Sequence, residues 1–231
     1  MAGAHPVLVE LFTSQGCSDC PAADRIVLEL AKRKDVIALS LPITYWDMLG
    51  WKDTFATESN TKRQKAYAKV MSRSGIYTPQ IIIDGVVDVV GNQRDRVLTA
   101  IAARASQFAD RGSENLHLAL ASGRVEISIA ASPAKTKPLA TIWVMRTLSQ
   151  AAVNVQQGEN KYRNLVYANV VRELQRAGEW TGDAMKIDVP MRLGEAKQDG
   201  VAVILQGNDY GEVLAAAVMP LPSNYLVALP R

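Results

Sequence analysis

Cysteine and histidine are scarce: the 231 residues hold two of each. That excludes a small scaffold held by many disulfides. It also leaves little material for a metal centre, since a closed zinc site takes four ligands. No metal and no cofactor is expected. Charge of one sign is missing as well, because 26 Lys and Arg against 23 Asp and Glu leave only +3. Such a balance gives no footprint for nucleic acid or a membrane surface. No apolar run approaches the roughly 20 residues needed to span a bilayer. A leader pattern, basic and then apolar for about 7–15 residues, is not found at the start. Met1 to Pro6 runs at once into Val7–Phe12, so the expectation is a cytoplasmic chain or the trimmed form of an exported one.

What is present is organised in two styles. The length suits one large domain or two modest ones. Val7–Phe12 reads as a buried strand, and Thr13-Ser14-Gln15-Gly16 as a turn. A helix is expected from Cys17 or Ser18 to Lys34, with Ala23, Ile26, Val27, Leu30 and Ala31 on one face. Val36–Leu41 is a second strand, stopped by Pro42. Strand, helix and strand in this order imply a parallel crossover. Glu58–Ser72 reads as a helix, markedly basic through Lys62, Arg63, Lys65, Lys69 and Arg73, which form a solvated face or else a patch for a partner. Gln80–Ile83, the hairpin dipeptide Asp84-Gly85 and Val86–Val90 follow, and Gly91-Asn92 opens a third helix.

After Arg111-Gly112-Ser113, a plausible linker, apolar residues alternate. Leu116, Leu118 and Leu120 are followed by Val125, Ile127 and Ile129, and then by strand-like runs at 139–148, 165–175, 185–189, 201–206 and 213–219. The run Asn169–Leu174 is ambiguous between strand and helical turn. Alternation with turns between the runs predicts an antiparallel, sandwich-like second domain. The expected division is therefore an α/β domain over 1–110 and a β-rich domain over 114–231.

The strongest chemical signal is Cys17-Ser18-Asp19-Cys20, after a strand and at the start of a helix. A thiolate at a helix N-terminus gains from unpaired N–H groups and the helix dipole. Two intervening residues let the sulfurs close a reversible disulfide. Cys17, expected to be the exposed sulfur, is the candidate nucleophile, and Cys20 the resolving cysteine. Two blander readings stand beside this. Half of a zinc site would need His5 and His117, which lie in different parts of the chain. A purely structural disulfide would remove little loop entropy, because the ring is so short. Thr78-Pro79, directly before the third strand, is the second signal. An X-Pro bond is the kind that adopts cis at low cost, and such a bond beside the cysteines would leave the Thr78 backbone free for an extended substrate. Trp46 and Trp51, in the connection Tyr45–Asp53, either cap the core or wall the disulfide. Asp47 and Asp53 either cap a short helix or take protons.

Over residues 7–109 the order of elements resembles the thioredoxin fold, with Cys17, Cys20 and Pro79 where that superfamily carries its nucleophile, resolving cysteine and cis-proline. More narrowly, the chain resembles the bacterial DUF1223 family, often labelled secreted. The carrying segments are Val9–Pro21, Tyr45–Asp53 and Tyr77–Gln80, with Gly158-Glu159-Asn160 and Asn169–Leu174 in the second half. Where the family pattern has a histidine and an aspartate, this chain has Pro42 and Thr44. The resemblance implies an exported or periplasmic thiol–disulfide oxidoreductase working on a protein or small-thiol partner. Thr78, Pro79 and Trp46 are its expected substrate contacts. Asp19, between the sulfurs, should disfavour the thiolate and make the couple a reductant or shuttle rather than a strong oxidant. The alternative is a non-catalytic binding module braced by a Cys17–Cys20 disulfide.

Overall fold

The architecture is given by a computed structural model, in which residues 6–109, 116–134, 139–190, 198–208 and 210–222 are described. His5 and the linker residues Arg111, Gly112 and Ser113 lie outside them. The plan is set by β1 (Val7–Thr13), which is buried along its whole length. A strand that reads as a continuous apolar run needs cover on both faces. Val7, Val9 and Leu11 face α1 (Cys20–Leu30) and α3 (Arg94–Ala109), packing on Ala23, Val27, Leu30, Val97 and Ile101. Leu8 and Phe12 point the other way, into a core shared with α2 (Glu58–Val70) and with strands of the second half.

β2 (Val36–Pro42) runs parallel to β1, as the crossover requires. β3 (Gln80–Ile83) and β4 (Val87–Val90) continue the sheet antiparallel. The hairpin between them carries Asp84 and Gly85 at φ 47° and 76°, the left-handed pair of a two-residue turn. A side chain at Gly85 would run into the Gly211 carbonyl.

The second half is antiparallel. β5 (Leu116–Ala121), β6 (Arg124–Ile129) and β9 (Met185–Pro190) form a three-stranded sheet in the order β5-β6-β9. Its apolar face packs on β7 (Ala140–Asn154), β10 (Gly200–Gly207) and β11 (Val213–Pro220), where Val125, Ile127 and Ile129 meet Ile142, Val144, Val203 and Leu205. β7, β10 and β11 belong, with β8 (Asn164–Trp180), to the larger sheet, whose order is β11-β10-β7-β8-β2-β1-β3-β4. The halves join at β8 on β2, through the parallel pair Ser40–Val170. The ambiguous run 169–174 is strand. Asn169, at φ 47°, kinks it and donates from Nδ2 to the Ala38 carbonyl of β2 at 2.9 Å.

Two expectations need correction. The first helix spans Cys20–Leu30 rather than starting near Cys17 and reaching Lys34. Cys17–Asp19 form a turn, with Cys20 N–H donating to the Cys17 carbonyl at 3.3 Å. Nor is the basic face of α2 wholly solvated. Arg63 is fully buried, bound to Glu10 of β1, because the second half covers that face of the sheet. Lys62, Lys65 and Lys69 stay exposed.

Candidate redox site

The site is built at the C-terminal end of β1, where the chain turns from strand to helix. The turn is held from the 44–57 connection. Asp53 accepts Gln15 N–H at 2.8 Å through Oδ2, and the Phe55 and Ala56 N–H groups through Oδ1. Gln15 Oε1 accepts Trp51 Nε1 at 2.8 Å. Asp53 therefore braces backbone, and so does Asp47, whose Oδ1 accepts Asp53 N–H at 3.0 Å. Burial raises the Asp53 carboxyl, while the Gln15, Phe55 and Ala56 amides pull it down.

Cys17 and Cys20 form a disulfide, with Cα atoms 5.4 Å apart. The expectation of an exposed Cys17 is overturned: it is 2 % exposed and Cys20 0 %. The cover comes from 143 residues away. At the tip of the β7–β8 hairpin, Asn160 is fully buried and donates from Nδ2 to the Gln15 and Cys17 carbonyls at 2.9 and 2.7 Å. Beside it, Glu159 Oε2 accepts Ser18 N–H at 3.2 Å. Cys17 sits buried in a turn whose Gln15 and Cys17 carbonyls a second segment has claimed. The groups this uses, Glu159 and Asn160, carry no chemical motif of their own. The familial tripeptide Gly158-Glu159-Asn160 is the one sequence signal that touched them.

On the other side, Trp46 lies against the turn and links it to the next loop. A side chain at Gly16 would sit 2.9 Å from Trp46 Cβ, and Trp46 Nε1 donates to Thr78 Oγ1 at 2.8 Å. The Thr78–Pro79 bond is cis. Pro79 and Ala23 both border Gly91, which places Pro79 beside the α1 residue three positions after Cys20. The residues picked from the sequence, Cys17, Cys20, Trp46, Thr78 and Pro79, are thus gathered in one place. Tyr45, Met48 and Leu49, on the 3-10 turn Thr44–Leu49 that carries Trp46, are exposed apolar groups.

Asp24 was not anticipated. It lies four residues beyond Cys20 on α1, hence on the same face, and is 3 % exposed. Oδ1 accepts the Thr13 hydroxyl at 2.8 Å, and Oδ2 has no partner among the described residues. Burial holds this carboxyl well above the ordinary carboxylate range, against the opposing pull of the Thr13 hydrogen bond. The buried Tyr167 hydroxyl of β8 is likewise unpartnered.

No group of three or more His, Cys, Asp or Glu side chains suited to a metal occurs among the described residues. His117 is exposed on β5. No helix among them is long and apolar enough to cross a membrane. A groove of about 610 Å³ opens between the first half of β2 and β11 and includes none of the site residues.

Three comparisons bear on this arrangement. A crystal structure of an Agrobacterium tumefaciens protein is similar over all of both chains, with 28% identity and a TM-score of 0.82. HBP35 of Porphyromonas gingivalis shares the fold at 14% identity and a TM-score of 0.59, over all of this chain and 79% of that one. A probable thioredoxin of Archaeoglobus fulgidus is 43% identical over 37 residues, which are 16% of this chain and 41% of that protein's length. The family described as "Protein of unknown function (DUF1223)" matches residues 8–206, and the chain belongs to it.

Proposed function

We propose that the protein is a thiol–disulfide oxidoreductase built on a thioredoxin-like unit. Cys17 exchanges with a protein or small-thiol partner, and Cys20 resolves. The observation that carries this reading is the CxxC disulfide at the mouth of α1, joined through Trp46 to the Thr78-Pro79 loop. The short likeness to a probable thioredoxin supports it. In the reduced pair, the Cys17 thiolate attacks one sulfur of a partner disulfide, and one partner thiolate leaves. The Cys20 thiolate then attacks Cys17 Sγ, closing the intramolecular disulfide and releasing the second partner thiolate. Two electrons pass to the partner, and its two thiolates take up protons from solvent. An external dithiol reverses the sequence and restores the pair. In that reversal Cys20 is the leaving group in a buried site, and Asp24, one turn along and held toward its neutral form by burial, is the candidate proton donor to it. Thr78, Pro79 and Trp46, with the apolar rim of Tyr45, Met48 and Leu49, receive the partner. An exported or periplasmic setting belongs to the proposal.

A second reading is favoured by the burial of Cys17: a binding module in which the disulfide only braces the turn. One experiment separates the two. The native protein is equilibrated with reduced and oxidised glutathione, alkylated and weighed. Oxidoreductase activity requires a defined equilibrium and a Cys20→Ser variant that traps a mixed disulfide on Cys17. A pair that stays oxidised until the protein is denatured rejects it in favour of the module.

A further inference from the structure

The β7–β8 hairpin does more than cover the disulfide, because of where its acidic side chain ends. A thiolate at Cys17 would look for backbone donors at the N-terminal turn of α1. Ser18 N–H is already donated to Glu159 Oε2 at 3.2 Å. Cys20 N–H is turned back to the Cys17 carbonyl. Pro21, in the first turn of α1, has no N–H to give. Three positions of the turn that would stabilise an anion therefore offer it no free donor, and one of them holds a carboxylate instead.

We infer that Glu159 is a positioning residue for the Cys17–Cys20 couple: by taking Ser18 N–H and placing a negative charge at the redox turn, it disfavours the Cys17 thiolate and holds the couple toward the disulfide. The inference rests on the exchange reading above and adds to it the direction of poise and the segment that sets it. A carboxylate competes with a thiolate twice here, for the same donor and through charge repulsion. The less stable the reduced form, the lower the reduction potential. The hairpin thus tunes in trans, from the second half of the chain, a couple that lies entirely in the first.

The other charges around the turn do not reproduce this effect. Asp19, the residue before α1, is exposed and makes no capping bond with its side chain. Asp53 is spent on three backbone amides. Asp24 is buried and held toward its neutral form. On the hairpin itself, Arg163 Nη1 donates to Asn160 Oδ1 at 3.0 Å, and Lys161 Nζ lies 4.7 Å from the centre of the Tyr162 ring. Asp53 binds the turn before the cysteines, at Gln15 N–H, whereas Glu159 binds a backbone donor between them.

The test is Glu159→Gln, which keeps an oxygen acceptor for Ser18 N–H and removes the charge. The potential is read by equilibration with glutathione, and the Cys17 thiolate by ultraviolet absorbance against pH. The expected result is a shift of the equilibrium toward the dithiol by about three- to tenfold, a tenfold change being about 30 mV. The Cys17 titration should move to lower pH in the same variant. Asp19→Asn should shift both readings less. Urea midpoints of both variants show that the fold is retained, and Glu159→Asp, which keeps the charge, should restore most of the wild-type poise. If wild type equilibrates and Glu159→Gln leaves potential and titration unchanged, the hairpin only packs on the turn and the inference is overturned. If the wild-type pair does not equilibrate at all, the exchange reading falls and this inference with it.

Discussion

Two buried polar clusters flank the first strand, and they are finished to different degrees. On one face Glu10 meets Arg63. Glu10 Oε1 accepts Arg63 Nε at 2.6 Å, and Oε2 accepts Arg63 Nη2 at 3.1 Å and the Tyr67 hydroxyl at 2.6 Å. Gln206 Nε2 donates to that hydroxyl, and Gln206 Oε1 accepts Arg63 Nη2. The guanidinium lies 5.1, 5.4 and 5.5 Å from the rings of Tyr67, Trp143 and Tyr210. Charge meets counter-charge and both carboxylate oxygens are occupied, with Arg63 Nη1 alone in the cluster lacking a partner among the described residues. On the other face Asp24 has one hydroxyl for a partner, and neither a partner for Oδ2 nor an ion pair among the described residues. The first cluster ties α2 and the second half to β1 and is a structural joint. The second leaves a buried carboxyl, raised by burial, one helical turn from Cys20.

The largest expected effect breaks the finished cluster. Arg63→Met leaves the Glu10 carboxylate buried without its counter-ion and should cost about 3–5 kcal/mol in urea unfolding. Adding Glu10→Gln should recover a good part of that. A cost under about 1 kcal/mol for the single variant would mean the joint is not buried as described. Next, Tyr67→Phe removes a hydroxyl bound to a charged group and should cost about 1.5–3 kcal/mol.

Asp24→Asn should act with the opposite sign. The folded state raises this carboxyl, so between the unfolded value near 4 and the raised folded value the folded protein holds the extra proton. Stability from this group is therefore fully present below that window and falls as pH rises through it. Asp24→Asn should flatten this decline and leave the variant about 1 kcal/mol or more ahead above the window. Unfolding measured from pH 4 to 9 checks this, and an unchanged slope would count against a raised carboxyl. In the same variant, reduction of the disulfide by an external dithiol should slow. The smallest effect sharpens the contrast. Tyr167→Phe deletes a buried hydroxyl with no partner among the described residues and should cost nothing, leaving stability equal or up to about 1 kcal/mol higher. The same substitution at Tyr67 is the costly one.

Much of the local structure was legible because its signals are local. Apolar runs gave β1, β2 and β3, and Asp84-Gly85 gave the hairpin, since that pair takes the left-handed conformation of a tight turn readily. Alternation after residue 115 gave the antiparallel strands. The CxxC pair, Thr78-Pro79 and Trp46 could be picked out because each residue type carries its own chemistry. Position along the helix was harder. Cys17 looks like a first helical residue, yet Pro21 suits a start at Cys20 and leaves Cys17 in the turn.

What the sequence determined by itself is therefore the candidate residues and the elements that bear them: a cysteine pair after a strand, a proline before the third strand, and two patterns of apolar spacing. The tertiary structure alone decided where Arg63 goes, because a basic residue on an amphipathic helix reads as solvated until a second sheet region covers it. It alone decided that Cys17 is covered. Asn160 and Glu159 lie more than 140 residues from the turn they bind, and no spacing rule connects positions that meet only when a long hairpin folds back. The same holds for Asp24, whose carboxyl is unusual through burial, and burial belongs to the packed whole rather than to any stretch of chain.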